Sequence, residues 1–270
     1  MPIVAIAGYT VWVRELHSAF PRMRLAITAL PDWLAQRDFS TLAAAAGDFV
    51  LQVHSVPNRP GTTPVLCDTI AARKAIARAG KLGIPFRVAL PTYSCELLAD
   101  PSGNIVGVRA EGAPPISNAG TLVLRSDAAE MAAFVRNLET ERPVSLTGII
   151  WYRLPIDSDR LNWRWPTLAA IIAGRTPKAE GKLVFASSES GTEDAVLENQ
   201  GDADWVLPAE VALPADTIAA DGVNGFQLDP ALVRPWKLRR VGQRILPPGS
   251  RMVCGWIRRG THVGIANQSP

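Results

Sequence analysis

The 270-residue sequence lacks most of the features that would place it in a specialised class of protein. Three cysteines (Cys67, Cys95 and Cys254) are too few for a disulfide scaffold, and their spacing matches no zinc site. No apolar run reaches the roughly 18 residues of a membrane span, and the apolar amino terminus lacks the basic region of a signal peptide. We therefore expect a soluble globular protein that has no metal and no membrane span.

The sequence also lacks a large excess of one sign of charge and the common cofactor-binding motifs. The 28 Lys and Arg residues nearly balance the 25 Asp and Glu residues, which argues against a nucleic-acid partner. The chain contains no GxSxG elbow, no GxGxxG fingerprint and no phosphate-binding loop, so we predict no cofactor. With no export signal in the chain, the cellular location stays open.

What the sequence does contain is an alternation of strand and helix patterns in its first two thirds. Apolar strands are predicted at 24–30, 48–54, 85–93 and 146–155, and helices at 5–20, 39–46, 68–83, 127–139 and 166–174. Asp68 is the expected N-cap of its helix, and residues 95–111 are typical of a β-hairpin. This order predicts a parallel sheet covered by helices. The chain begins in a helix and holds four such units, so the sheet is either open or the carboxyl-terminal half of a (β/α) barrel.

The last third has short strand patterns and no helix pattern. We predict a barrel-like domain over 1–178, incomplete at its amino end, and a small antiparallel, sandwich-like β-domain over 179–270. Residues 180–230 hold 11 acids and one base, whereas residues 231–260 hold eight bases and no acid. This segregation indicates either a basic binding patch or pairing of acidic with basic strands, and pairing is favoured because it cancels the field.

Ligands of parallel α/β sheets bind at the carboxyl ends of the strands, and all four predicted strands end in polar or aromatic residues. Aromatic faces pack on sugar rings, while amide, imidazole and guanidinium groups bond to hydroxyls. The predicted substrate-binding residues are Trp33, Gln52, His54, Tyr93, Trp151 and Arg153. The alternative is structural, with Trp33 and Trp151 capping the core and His54 simply hydrogen-bonded.

Carboxylates are scarce at the same strand ends. Glycoside hydrolysis usually needs two of them near one bond. Asp32 is the plain candidate for a catalytic role, although it could instead cap the following helix, and Glu96, Asp157 and Asp159 lie in flanking loops.

Several stretches together resemble one bacterial family, known as domain of unknown function 3142. They are LAITALPDWL (25–34), DFVLQVHSV (48–56), GIPFRVALPTYS (83–94), LTGIIWYRLPIDSDRLNW (146–163), LENQGDADWVLPAEV (197–211) and LPPGSRMVCGWIRRG (246–260). The resemblance implies a glycosidase-like barrel followed by a β-domain. Longer members carry an extra amino-terminal half with an acidic strand, the natural place for catalytic carboxylates. They also look exported, which implies a periplasmic or envelope location for those members.

These observations lead to an expected function without an assigned reaction. We expect a carbohydrate-related, glycosidase-like protein whose partner is an oligo- or polysaccharide. The alternatives are a carbohydrate-binding protein without catalysis and a structural or interaction module of the cell envelope. Because four parallel strands cannot close a barrel, we also expect self-association through open sheet edges.

Overall fold

The computed structural model describes residues 3–55, 64–100, 102, 105–110, 120–156, 158–159, 161–188, 191–231, 233–242 and 244–260. The chain divides into two compact units, Met1–Thr176 and Pro177–Pro270. Within the described ranges, no helix combines the length and the apolar character that crossing a membrane requires.

The first unit alternates helices with strands. Its elements are α1 (Ile3–Ala19), β1 (Ile27–Ala29), α2 (Phe39–Ala46), β2 (Phe49–Gln52), α3 (Thr69–Gly80), β3 (Phe86–Pro91), β4 (Ser94–Ala99), β5 (Ile105–Arg109), β6 (Gly120–Arg125), α4 (Ala128–Thr140), β7 (Leu146–Tyr152) and α5 (Trp165–Ile172). A short 3-10 helix, Pro31–Ala35, follows β1.

Four of these strands form one parallel sheet in the order β1-β2-β3-β7. Ile27 pairs with Phe49, Phe49 with Phe86, and Phe86 with Leu146, so one row of side chains crosses the whole sheet. The predicted parallel sheet with helices is therefore confirmed. The described strands form an open sheet, and a closed barrel is not seen among them.

Local sequence signals explain where the helices begin and end. The Asp68 and Asp127 carboxylates each accept two backbone N–H bonds at the first turns of α3 and α4. Gly47 ends α2 in the left-handed conformation, with φ of 80°, which costs glycine no Cβ clash. The predicted cap at Asp68 is confirmed.

All five helices pack on one face of the parallel sheet. The core on that face includes Ile6 from α1, Leu42 from α2, Ile76 from α3, Phe134 from α4 and Ile171 from α5. The sheet contributes the alternate residues Ile27, Ala29, Phe49, Leu51, Phe86, Val88, Leu90 and Leu146 to the same core. Side chains alternate across a strand, so the residues between them face away from the helices.

We call this second face the bare face. It consists of Thr28, Val50, Gln52, Arg87, Ala89, Gly148 and Ile150, which the register places in adjacent rows. None of these residues belongs to the core beneath the helices. Arg87 donates to Asp48 at 2.7 Å, which neutralises the only cation of this set.

A three-stranded antiparallel sheet, ordered β5-β4-β6, follows β3. Its β4–β5 pair is the predicted hairpin, which is confirmed. The third strand, β6, was not anticipated, because its sequence lies beyond the turn signals that mark the hairpin. Cys95, Leu97 and Leu124 of this sheet form a small core with Leu66.

The second unit contains only strands among its described residues. They are β8 (Gly181–Ser187), β9 (Glu193–Asn199), β10 (Trp205–Val206), β11 (Glu210–Ala212), β12 (Thr217–Gly222), β13 (Phe226–Leu228), β14 (Lys237–Arg240), β15 (Ile245–Leu246) and β16 (Arg251–Arg259). They pair antiparallel in sheets ordered β12-β16-β9-β8, β11-β14-β13 and β10-β15. The predicted antiparallel character of this region is confirmed.

Acidic and basic segments of the second unit pair across strands. Lys237 donates to Glu210 at 2.8 Å, and Arg251 pairs with Glu198 at 2.8 Å. Arg259 pairs with Glu193 at 2.9 Å. The segregated charges therefore cancel between neighbouring strands, as the pairing interpretation predicts.

The helix caps at Asp68 and Asp127 can be tested by mutation. We expect Asp127→Ala to lower the free energy of unfolding by about 1 kcal/mol, because two N–H groups lose their acceptor. Asp38→Ala is the matched control, since Asp38 occupies the N-cap position of α2 without a side-chain bond. Urea unfolding followed by circular dichroism gives both values, and equal losses would contradict the assigned caps.

Candidate functional site

Three aromatic rings meet at the carboxyl end of the parallel sheet. His54 follows β2, Tyr93 follows β3, and Tyr152 is the last residue of β7. Because neighbouring parallel strands run in the same direction, their ends bring these three side chains to one edge. We call His54, Tyr93 and Tyr152 the ring cluster.

The rings of this cluster are in mutual contact. His54 and Tyr152 stack with centroids 5.5 Å apart and an interplanar angle of 20°. Tyr93 stands edge-on to both, at 5.4 Å from His54 and 5.7 Å from Tyr152. The Tyr93 hydroxyl lies 3.2 Å from Nδ1 of His54, and Gln52 Nε2 donates to the His54 carbonyl at 3.1 Å. The cluster is therefore a fixed arrangement with defined polar contacts.

Burial keeps His54 and Tyr93 of the cluster neutral at neutral pH. It lowers the pKa of His54 to about 4, and no described atom partners His54 Nε2. Burial also raises the pKa of Tyr93 to about 12, with smaller contributions from Cys95, Tyr152 and Cys67. At neutral pH the Tyr93 hydroxyl thus keeps its proton and can donate it to His54 Nδ1.

Exposure differs sharply within the cluster. His54 is only 4% exposed, whereas Tyr152 is 56% exposed. One face of the Tyr152 ring rests on the imidazole, which leaves the rest of the ring open to solvent. A large, supported and accessible aromatic surface of this kind can pack against the apolar face of a ligand ring.

The segment after β7 is held against the ends of neighbouring strands. Thr92 Oγ1 donates to the Arg153 carbonyl, and Trp163 N donates to the Thr92 carbonyl at 3.0 Å. Trp163 Nε1 donates to the Ser126 carbonyl at 2.8 Å, and Asn162 Oδ1 accepts from Ser94 N at 3.1 Å. These bonds keep the segment beside the ring cluster.

Arg153 is fixed within that segment by a buried carboxylate. Its guanidinium forms an ion pair with Asp159, whose side chain is fully buried. Asp159 also accepts from Ile156 N at 3.0 Å. The Arg153 side chain remains partly accessible, so it can offer donors to a ligand while its charge is compensated by Asp159.

Two other predicted binding residues, Trp33 and Trp151, lie apart from the ring cluster. Trp151 precedes Tyr152 and therefore lies on the opposite face, where it packs against the helix-side core, 6.3 Å from Trp163. Trp33 lies edge-on to Tyr9 and Phe39, with centroids 6.4 Å away in each case. Gln52, His54 and Tyr93 are the predicted residues that the structure brings into direct contact.

Asp32 lies within the 3-10 helix after β1 and is exposed. The alternative that it caps a helix is wrong: the N-cap positions of the 3-10 helix and of α2 are Leu30 and Asp38, and neither has a side-chain bond. Its predicted catalytic role stays a prediction.

The remaining acidic candidates differ in their surroundings. Glu96 pairs with Arg109 on the antiparallel sheet, and Asp159 pairs with Arg153. Asp157 lies outside the described residues. Within the described part of the chain, no group of three His, Cys, Asp or Glu side chains is placed to hold a metal ion. Cys67 and Cys95 are both free thiols.

Tyr152 is the residue that sequence reasoning missed. It is the one exposed ring of the cluster, and it follows the predicted Trp151 directly. The period-two alternation of β7 contains the signal, because Gly148, Ile150 and Tyr152 share one face. This alternation identifies Tyr152 only when the face that the helices cover is known, and that face depends on tertiary packing.

Comparisons with known proteins give two family matches. The sequence model described as Domain of unknown function (DUF3142) matches residues 3–157. A second, described as Domain of unknown function (DUF8456), matches residues 183–260. The search of curated proteins found no match.

Two of the solved structures that match show a weak likeness. The chitinase ChiA74 from Bacillus thuringiensis has a TM-score of 0.39 at 8% identity, covering 94% of this chain and 68% of that one. The C-terminal domain of a putative chitinase from Desulfitobacterium hafniense DCB-2 has a TM-score of 0.38 at 10% identity, covering 53% of this chain and 54% of that one. Both TM-scores lie below 0.5, so neither likeness bears on function.

The neutral, buried imidazole of His54 makes the free energy of unfolding depend on pH. The pKa of His54 is lower in the folded chain than the 6.5 of an unfolded one, so the unfolded state binds more protons between these values. Stability from this group is complete above pH 6.5 and is lost as the pH falls to about 4, by about 3 kcal/mol in total.

The control is His54→Phe, which keeps a ring against Tyr152 without a titrating group. Unfolding measured between pH 7 and pH 4 should show a steeper loss for the parent than for the variant. Equal slopes, or a His54 pKa near 6.5 by nuclear magnetic resonance, would contradict the assignment.

Proposed function

The chain belongs to the DUF3142 family, and from that premise we propose that it is a carbohydrate-binding protein whose ligand contacts the ring cluster. The observation that carries the proposal is the exposed Tyr152 ring, supported from behind by buried His54 and held beside Tyr93. Sugars have apolar ring faces and a rim of hydroxyls. An accessible aromatic ring flanked by polar side chains matches both features.

Two polar groups would complete the recognition. Arg153 has N–H donors next to Tyr152, and Asp159 compensates its charge. Gln52 lies on the same face of the sheet as Tyr152. The ion pair with buried Asp159 holds the guanidinium in place before the ligand arrives. A site prepared in this way loses little conformational entropy on binding.

Hydrolysis of a glycoside is the second candidate. It is favoured by Asp32, an exposed carboxylate at the carboxyl edge. A hydrolase needs two carboxyl groups roughly 5–10 Å apart. Glu96 and Asp159 are engaged in ion pairs, which makes them poor second partners. Binding therefore has the stronger support.

Binding is tested with an array of neutral α- and β-linked oligosaccharides, followed by titration calorimetry on the best ligand. We expect Tyr152→Ala to weaken binding about tenfold, because the loss of a stacked ring costs roughly 1.4 kcal/mol. Phe20→Ala is the matched control, since Phe20 is an equally exposed aromatic residue that directly follows α1. Trp151→Ala tests the sequence-based assignment of the neighbouring ring.

Equal affinity of the parent and Tyr152→Ala would remove the ring cluster as the site. A loss confined to Trp151→Ala would move the site to the other face of the sheet.

Hydrolysis has its own test on the same ligands. If the chain is a hydrolase acting through Asp32, reducing sugar should form with the parent and fall by at least about 100-fold in Asp32→Asn, the usual scale of a lost acid or base. Release that persists in Asp32→Asn would show that Asp32 is not catalytic.

A further inference from the structure

His54 has a buried ring nitrogen to which no described group bonds. The side chain is 4% exposed, and its Nε2 atom is buried without a described partner. The other ring nitrogen, Nδ1, lies 3.2 Å from the Tyr93 hydroxyl. Buried polar groups of proteins are almost always hydrogen-bonded, because burial removes their water and an unpaired group costs free energy. The unpaired Nε2 therefore points to a partner that the described chain does not supply.

The contact at Nδ1 determines which ring nitrogen carries the proton. Burial keeps the imidazole of His54 neutral at neutral pH and keeps the proton on the Tyr93 hydroxyl. Among the described residues, His54 Nδ1 is the partner of that hydroxyl, so the hydroxyl donates and Nδ1 accepts. A neutral imidazole holds one ring proton, which then lies on Nε2. The unpaired group is therefore an N–H donor that requires an acceptor.

The Tyr152 ring covers the imidazole of His54 but is not locked there. The two rings are nearly parallel, with centroids 5.5 Å apart. The Tyr152 main chain is fixed, because its carbonyl accepts from Thr92 N at 2.8 Å. Its side chain is 56% exposed, and no described hydrogen bond involves its hydroxyl. Exposed side chains change rotamer within nanoseconds, so this ring can turn while β7 stays in place.

We propose that a hydroxyl oxygen of a bound sugar accepts a hydrogen bond from His54 Nε2–H once the Tyr152 ring has turned aside. The inference rests on the proposed function, because it names the group of the carbohydrate that the ring cluster recognises. The Tyr152 ring exchanges the imidazole for the apolar face of the sugar as its stacking partner. His54 thus contributes a donor that selects the ligand, in addition to supporting Tyr152.

The surroundings of Nε2 favour a neutral hydroxyl over a carboxylate or a phosphate. The imidazole itself is uncharged, and the rings that contact it belong to Tyr93 and Tyr152. Arg153, the cation that follows Tyr152, is already compensated by Asp159. A buried anion without an unpaired cation is strongly disfavoured. We therefore expect neutral sugars to bind in preference to uronic acids and sugar phosphates.

The covering role of Tyr152 can be tested on the ligand-free full chain by nuclear magnetic resonance of His54. In Tyr152→Ala water reaches Nε2, so the His54 pKa should rise from about 4 toward 6.5. Tyr152→Phe is the matched control, because it keeps the ring and should leave this pKa at about 4. A pKa near 4 in both variants would overturn the covering role. Nitrogen shifts that place the proton on Nδ1 would overturn the donor.

The hydrogen bond is tested by titration calorimetry with the tightest-binding sugar of the neutral oligosaccharide array. His54→Phe keeps a ring against Tyr152 and removes the donor, so it should bind this sugar about tenfold more weakly than the parent does. One monodeoxy analogue of the same sugar should bind the parent about tenfold more weakly than the sugar does. The same analogue should bind His54→Phe as tightly as the sugar does, because the two changes remove one shared bond.

The outcomes distinguish this inference from the proposed function. If Tyr152→Ala weakens binding while His54→Phe binds like the parent, the ring cluster remains the site and the hydrogen bond to Nε2 is wrong. Monodeoxy analogues that all lose equally in the parent and in His54→Phe would overturn the hydrogen bond as well. If no sugar of the array binds the parent, the proposed function fails and this inference fails with it.

Discussion

The packing of all five helices on one face of the parallel sheet determines the rest of the first unit. Phe49 and Phe86 stack at 5.3 Å on adjacent strands beneath those helices, and Phe39 meets Phe49 edge-on at 5.5 Å. Once these rings occupy the helix side, the alternation of each strand sends Gln52, Ile150 and Tyr152 to the other side. The accessible edge of the molecule thus follows from where its apolar residues are buried.

Much of this architecture could be predicted from sequence because it depends on local signals. Asp68 before an apolar helical pattern and Gly47 after another mark helix ends through backbone hydrogen bonding alone. The four apolar strands and the 95–111 hairpin were equally readable. Which sheet face the helices cover is a long-range property, and for that reason Trp151 rather than Tyr152 stood out as the site aromatic.

In the candidate site too, local features could be predicted from the sequence and long-range contacts could not. His54 and Tyr93 were found because each ends a predicted strand, yet their contact depends on the register between β2 and β3. The partnership of Arg153 with Asp159 could not be foreseen, because the fold of the segment after β7 depends on bonds to Thr92 and Ser94. Glu96 and Asp159 are engaged in ion pairs, and His54 and Tyr93 are neutral at neutral pH, which supports the proposal that this edge holds a ligand.

The most direct measurement is a nuclear magnetic resonance titration of histidine-labelled protein with an oligosaccharide that binds. The sequence holds three histidines, so each imidazole can be followed separately. The account predicts that the His54 resonances move with ligand concentration while those of His17 stay still. Saturable binding that leaves His54 unchanged would contradict a site at the carboxyl edge of the parallel sheet.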